Sequence, residues 1–250
     1  SPHHDGQIMS NFLKCYDINV ISGSTNEQAN KSALTIMKIL ENAGTKHTDA
    51  VGDNILDSSN KGLTWILTDW YVEIKSCPTY GDKILSKTWS QFTTTTFGCA
   101  RDFELYANEK LAAIASTRWV LLDLKTERPT KIDKEWFTIY QSEDKSVFDN
   151  PRLPKTETVT EFLSEKALEI RRGDIDFNDH VHNLTYLDYA LEAIPQDVYD
   201  KMDFTKIRIS YKSAVKQNDK IVCKYAFVNE KHIVNIFDQN NELKTVIELS

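Results

Sequence analysis

Two apolar stripes at helical spacing, each followed by a series of strand-like runs, set the pattern of this chain. In the first half Ala33, Ile36, Met37, Leu40 and Ala43 recur at three- to four-residue intervals, the period of a helix with one buried face. Ser24-Thr25-Asn26-Glu27 has the form of a capping box, and Gly44 supplies the stop. Phe12 to Val20, ahead of the box, reads as a strand. After a polar loop from Gly52 to Gly62, Leu63 to Ile74 is rich in aromatic and β-branched residues. Cys77 to Asp82 is a turn, and Lys83 to Trp89 resumes the strand pattern. Arg101 to Tyr106 and Leu111 to Leu122 flank Asn108-Glu109 as a hairpin. Gln141 to Glu161 is polar, carries Pro151 and Pro154, and has no periodicity, so it is the expected linker. Past it the order returns: a strand from Lys166 to Arg172, a helix from about His180 to Ile194 ended by Pro195, and strands from Lys206 onward. Leu184, Leu187, Leu191 and Ile194 form the buried stripe of that second helix.

The halves also match residue by residue. Ile74-Lys75-Ser76-Cys77-Pro78-Thr79-Tyr80-Gly81-Asp82-Lys83-Ile84 aligns with Tyr211-Lys212-Ser213-Ala214-Val215-Lys216-Gln217-Asn218-Asp219-Lys220-Ile221, five of eleven positions being identical at an offset of 137. The helices align at an offset of 150, Ala33 to Met37 against Asn183 to Leu187. Two matches in the same order point to an internal duplication. A long helix followed by an antiparallel sheet, occurring twice, gives an α+β fold in which each sheet wraps its own helix and the two units extend one sheet. The expected divisions are residues 9–140, a linker at 141–161, and residues 162–250.

Composition narrows the setting. The chain has 250 residues, 40% apolar and 27% charged, ordinary for a soluble globular protein with a real core. No apolar run is long enough to span a bilayer. The opening SPHHDGQIMS has no apolar core and reads as no signal peptide; residues before Met9 are set aside from the fold. Cys15, Cys77, Cys99 and Cys223 are scattered without metal spacing and read as reduced residues of a cytoplasmic protein. A formal net charge of −7 argues against nucleic acid as the main partner.

The stretch that concentrates chemistry is Arg171 to Ile194. Asp176, Asn178 and His180 fall two apart, and an extended segment would put them on one side, beside the unpaired N–H groups of a helix start. An acid, an amide and an imidazole there would suit a carbonyl whose negative charge develops during reaction. The plainer reading is an Asx-type turn shaped by Asp176 and Asn178. A calcium loop using Asp174, Asp176 and Asn178 fails at Asp179, where glycine is needed, and at Thr185, where glutamate is needed. No metal and no cofactor are expected. Aligned by the helix offset, the first half carries Asn26, Gln28 and Asn30 in place of Asp176, Asn178 and His180, so only the second half can do acid–base chemistry. Lys206, Arg208 and Lys212 alternate with Ile207, Ile209 and Tyr211, which makes one strand face basic or simply solvated. Trp65, Trp70 and Trp119 read mainly as core.

Nearly the whole chain, from about Phe12 to Leu249, resembles the acyl-acyl-carrier-protein thioesterases, which are built as tandem hot-dog domains. The marks are Asp174-Ile175-Asp176-Phe177-Asn178-Asp179-His180-Val181-His182-Asn183, close to D-x-D-x-N-x-H-V-N-N, and Trp65-Ile66-Leu67. Others are the Cys77-Pro78 to Gly81-Asp82 turn with Thr88-Trp89, and Ser116 to Leu121 leading to Thr126-Glu127-Arg128-Pro129. The resemblance implies hydrolysis of the thioester joining a fatty acyl chain to the phosphopantetheine arm of acyl carrier protein, with catalysis in the second half and the acyl chain housed in the first. Asp176 is then the expected general base, with direct nucleophile as the alternative, Asn178 orients water or the carboxylate, and His180 binds and polarises near the carbonyl. Asn183, Trp65 and Trp70 are expected to line the substrate site, and Arg171, Arg172, Arg208 and Lys212 to receive the acidic carrier. The chain departs from the family at Ala214, where a glutamate is usual, at Val215, where plant members have cysteine, and at His182, where asparagine is usual. An acyl-CoA thioesterase or a non-catalytic acyl-binding module are the competing expectations, and monomer and homodimer are both open.

Overall fold

The computed structural model describes residues 34–50, 62–78, 81–91, 97–140 and 142–250. The strand expected at Phe12 to Val20, the capping box at Ser24, and Asn26, Gln28 and Asn30 lie outside the described residues. The first helix among the described residues, α1, runs Leu34–Ala50 and is followed by strands β1 (Leu63–Ile74), β2 (Ile84–Ser90), β3 (Gly98–Ala107), β4 (Lys110–Asp123) and the short β5 (Arg128–Pro129). A one-and-a-half-turn helix, α2 (Lys134–Ile139), closes this half. The second half has β6 (Ser164–Leu168), helices α3 (Thr185–Ala193) and α4 (Gln196–Lys201), then β7 (Lys206–Tyr211), β8 (Ile221–Val228), β9 (Lys231–Phe237) and β10 (Leu243–Leu249).

All the described strands join one antiparallel sheet in the order β2-β3-β4-β1-β7-β10-β9-β8-β6, with β5 on β4. The order on one side of the β1–β7 seam mirrors that on the other, as the duplication requires. The alignment offset holds in three dimensions: β1 ends at Ile74 and β7 at Tyr211, β2 begins at Ile84 and β8 at Ile221. Across the seam Tyr71 pairs with Arg208, its own counterpart at that offset, so a local twofold relation passes through this pair. The apolar positions of both halves form one core around α1 and α3, each helix packed on the strands of its own half. Each half is thus a hot-dog unit, a helix wrapped by an antiparallel sheet.

Period-two alternation divides the sheet into two faces. Trp70, Val72 and Ile74 of β1 and Ile207 and Ile209 of β7 are buried with the helices. Asp69, Tyr71, Glu73, Lys206 and Arg208 point the other way. The segment after α2 crosses this second face from one unit to the other. The carbonyl of Lys145 accepts from Trp89 Nε1 at 2.9 Å, and the N–H of Val147 donates to Asp102 Oδ2 at 2.9 Å. The carbonyls of Pro151 and Pro154 accept from Arg118 Nη2 at 3.0 Å and Arg208 Nε at 2.7 Å. Finally the N–H of Glu157 donates to Glu248 Oε2 at 2.6 Å. A segment that looks featureless in sequence is tied down because the strands beneath it present side chains for its backbone groups.

Several local expectations change. α1 continues past Gly44, which is buried where the helix lies on β3; a Cβ there would sit 3.4 Å from Arg101 Cδ and 3.5 Å from the Phe103 ring. Glycine serves close packing here rather than termination. The Asn108-Glu109 hairpin forms as expected, with φ of 50° and 68°, the left-handed pair that a two-residue hairpin demands. Cys77 stands in a disulfide bond, whereas Cys99 and Cys223 are not disulfide-bonded. Four reduced cysteines were the basis for a cytoplasmic setting, so that support is withdrawn. No helix among the described residues is long and apolar enough to cross a membrane.

Candidate active site

The D-x-D-x-N-x-H stretch is a tight loop rather than an extended run, and its first aspartate anchors it. Asp174 is 2% exposed and accepts from the backbone N–H, Nε and Nη2 of Arg171 at 3.0, 3.1 and 2.9 Å and from the Tyr189 hydroxyl at 2.7 Å. Burial opposes its ionisation, but the Arg171 and Tyr189 hydrogen bonds outweigh it and lower its pKa. A carboxylate so occupied has little capacity left for calcium.

Ile175 and Val181 then pair across the loop neck. Asp176 closes it: its N–H donates to the His180 carbonyl at 2.8 Å, and its Oδ1 accepts from the N–H groups of Asn178 and His180 at 2.9 and 3.2 Å. Asp179, at φ 60°, turns the chain back. Asp176 therefore does build an Asx-type turn, using one carboxylate oxygen and leaving Oδ2 without a hydrogen-bond donor among the described residues. The side chains of Asn178, exposed, and His180, half-buried, stand out from the same loop. Among the described residues no hydrogen bond links the three side chains to one another; the backbone holds them together.

The loop is braced on the segment after β7. His180 pairs with Lys216, the Val181 N–H donates to the Val215 carbonyl at 2.9 Å, and the Val215 N–H donates to the Tyr186 hydroxyl at 2.8 Å. Burial raises the Tyr186 pKa to about 12, so the hydroxyl keeps its proton. The Tyr211 hydroxyl donates to the Asn183 carbonyl at 2.8 Å. α3 starts at Thr185, five residues beyond His180, which corrects the helix start expected near His180. The N–H groups of Leu184 and Thr185 are directed at Nδ1 and the carbonyl of His182, at 3.4 and 2.9 Å. They do not form the oxyanion site expected beside His180.

Of the residues assigned to substrate, Asn183 stays beside the loop, whereas Trp70 is 1% exposed in the core, stacked on Phe103 at 5.6 Å. Its Nε1 has no hydrogen-bond partner among the described residues. Trp65 packs edge-on against Trp136 of α2 at 5.6 Å. Arg208 is not part of a surface patch: its side chain is 11% exposed, bonded to Asp69 at 2.9 Å and covered by the crossing segment at Pro154. Alternation predicted its face correctly but could not show that a segment distant in sequence covers that face. Arg171, Arg172 and Lys212 are exposed.

Sequence reading missed Glu41, whose Oε1 lies 3.1 Å from His182 Nε2. It is a polar residue beside the buried stripe of α1, and no spacing rule connects it with a residue 141 positions away. A concavity of about 480 Å³ sits at the far end of α3, against Lys166, Leu191, Ile194 and Tyr199, and takes no part in this arrangement. Among the described residues no cluster of three or more histidine, cysteine, aspartate or glutamate side chains is placed to hold a metal.

Comparison with known proteins places this geometry. Residues 10–140 match the family model of the acyl-ACP thioesterase N-terminal domain, and residues 157–248 that of its C-terminal domain. Oleoyl-acyl carrier protein thioesterase 1, chloroplastic, of Arabidopsis thaliana is 29% identical over 213 residues, covering 77% of this chain and 58% of that protein. The chain thus spans a little under three-fifths of that relative's length. Among solved structures, the 12:0-ACP thioesterase from Umbellularia californica superposes with a TM-score of 0.79 at 18% identity, covering 88% of this chain and 89% of the other. An acyl-ACP thioesterase from Bacteroides thetaiotaomicron gives 0.77 at 18% identity, covering 92% and 93%. These two speak for the fold. With both halves matched in order, and with the D-x-D-x-N-x-H loop braced in the second of them, the chain belongs to the acyl-ACP thioesterase family.

Proposed function

We propose that the chain hydrolyses the thioester between a fatty acyl group and the phosphopantetheine arm of acyl carrier protein, releasing the free fatty acid. The observation that carries this reading is the Asp176 loop itself, an ionisable side chain with one oxygen spent on shaping the loop and the other without a donor among the described residues, flanked by Asn178 and His180. Asp176 Oδ2 takes a proton from water as the water oxygen attacks the carbonyl carbon. The His180 side chain stabilises the charge growing on the carbonyl oxygen. The C–S bond then breaks, the sulfur takes up a proton, and acid and thiol leave. Asn178 orients the attacking water. Trp65, Trp70 and Asn183 belong to the acyl side of the site in this reading, and the exposed cations Arg171, Arg172 and Lys212 receive the acidic carrier.

Hydrolysis is measured on carrier-linked, CoA-linked and small soluble acyl thioesters. Carrier-linked substrate is expected to be fastest, with its advantage shrinking in high salt because exposed charges are screened. An equal rate on acyl-CoA would favour the CoA enzyme, and binding without turnover, which Ala214 makes worth testing, would leave an acyl-binding module. Asp176→Asn is expected to lower kcat by about 10² to 10⁴-fold, the usual share of a general base. A wild-type rate in that variant removes Asp176 from the reaction.

A further inference from the structure

His182 interrupts the motif where the resemblance leads one to expect asparagine, and its surroundings give it a partner from the other half of the chain. Nε2 lies 3.1 Å from Glu41 Oε1 on α1. The N–H of Leu184 is directed at Nδ1, 3.4 Å away, so in the neutral ring Nε2 carries the proton and donates it to Glu41. The backbone is fixed as well, because the His182 N–H donates to the Asp174 carbonyl at 2.8 Å. The ring thus hangs from the anchored end of the loop while a second element sets its orientation. The charged groups acting on it are Glu41 and Lys38 from α1 and Asp176 from the loop.

Two features distinguish this contact from an ion pair sealed in the core. The side chains are 45% and 32% exposed for His182 and Glu41, so both remain in reach of solvent. Asp176, the carboxylate next to the ring, has already committed one oxygen to the loop backbone. A half whose position 214 is alanine thereby gains a second carboxylate from outside itself.

We propose that Glu41 is a positioning residue of the hydrolytic site: it holds His182 beside Asp176 in one tautomer and one orientation, so that the N-terminal half completes the site of the C-terminal half. The proposal rests on the thioester-hydrolysis reading. A carboxylate-held imidazole is more basic than a free one and remains a cation to higher pH. Without Glu41 its titration falls back toward lower pH.

The test compares wild type, Glu41→Gln, His182→Asn and the double variant on a small soluble acyl thioester between about pH 5 and pH 9, the range that covers an imidazole titration. The His182 ring is titrated by NMR in parallel. Glu41→Gln is expected to reduce kcat about tenfold with KM within about twofold, the pattern of an interaction that acts on the reaction rather than on substrate uptake. The His182 NMR titration moves to lower pH, and the rate profile shifts in the same direction. Adding Glu41→Gln to His182→Asn is expected to change nothing further, because Glu41 acts only through the ring. The proposal is overturned if the NMR titration moves while kcat and the rate profile do not, which makes the contact a structural tie. It is equally overturned if the two substitutions prove additive. Absence of any thioester hydrolysis in wild type would instead remove the underlying function, and the proposal with it, whatever the ring titration shows.

Discussion

Asp174 and Asp176 sit two positions apart in one motif, yet the first is almost sealed from solvent while the second keeps one oxygen without a donor among the described residues. Asp174 works as an anchor, and its lowered pKa fixes how stability depends on pH. A group whose folded pKa lies below its unfolded value, about 3.9 for aspartate, contributes stability above that value and loses it as pH falls through the folded pKa. Asp174→Asn is therefore expected to cost about 2 kcal/mol at pH 7, the scale of hydrogen bonds to a buried charge. The gap to wild type should close in acid. Urea unfolding at neutral pH and near pH 3 measures it, and a gap of equal size at both would show that the Asp174 charge is not what anchors the loop. The acid, amide and imidazole were legible in sequence because they lie within five consecutive residues, where spacing carries information. The Glu41–His182 contact was not, because only the folded arrangement of the two halves brings those residues together.

At the scale of elements, the two helices were legible from their apolar stripes, and their ends were not. α3 begins late because Asp176 and the backbone of its own loop satisfy one another locally, which a helical start at His180 would forbid. α1 ends late because Gly44 lies against β3 rather than at a turn, and glycine has two common uses that sequence alone does not separate. Gly44→Leu is expected to force α1 away from Arg101 and Phe103 and to destabilise the protein by about 1 to 3 kcal/mol, the usual range for overpacking. Gly44→Ala should stay within about 1 kcal/mol of wild type, since the tight Cβ contact opposes the gain in helix propensity. Thermal denaturation of the two variants checks this; a Gly44→Leu protein as stable as wild type would mean that the contact with β3 is loose. The basic face of β7 was read correctly as a face, but what covers it comes from residues 142–161, a stretch with no periodicity to reveal where it lies.

The whole molecule is two like units joined along β1 and β7 and bound again by the segment that crosses their seam. Arg208 belongs to both devices, through Asp69 on β1 and the Pro154 carbonyl. Arg208→Met should destabilise the fold by about 2 kcal/mol, less than a fully buried pair because both side chains keep some exposure. Asp69→Asn added to it should recover part of the loss by removing the stranded charge. Chemical denaturation of the single and double variants measures this, and strict additivity would show that the pair is uncoupled. The register at this seam also bears on ancestry. In an assembly of two identical chains, whatever residue occupied the place of Tyr71 and Arg208 would have met its own twin across the axis, and a cation there would have faced a cation. Once the two copies shared one chain, that site became two independent addresses, free to hold a phenol on one strand and a guanidinium on the other.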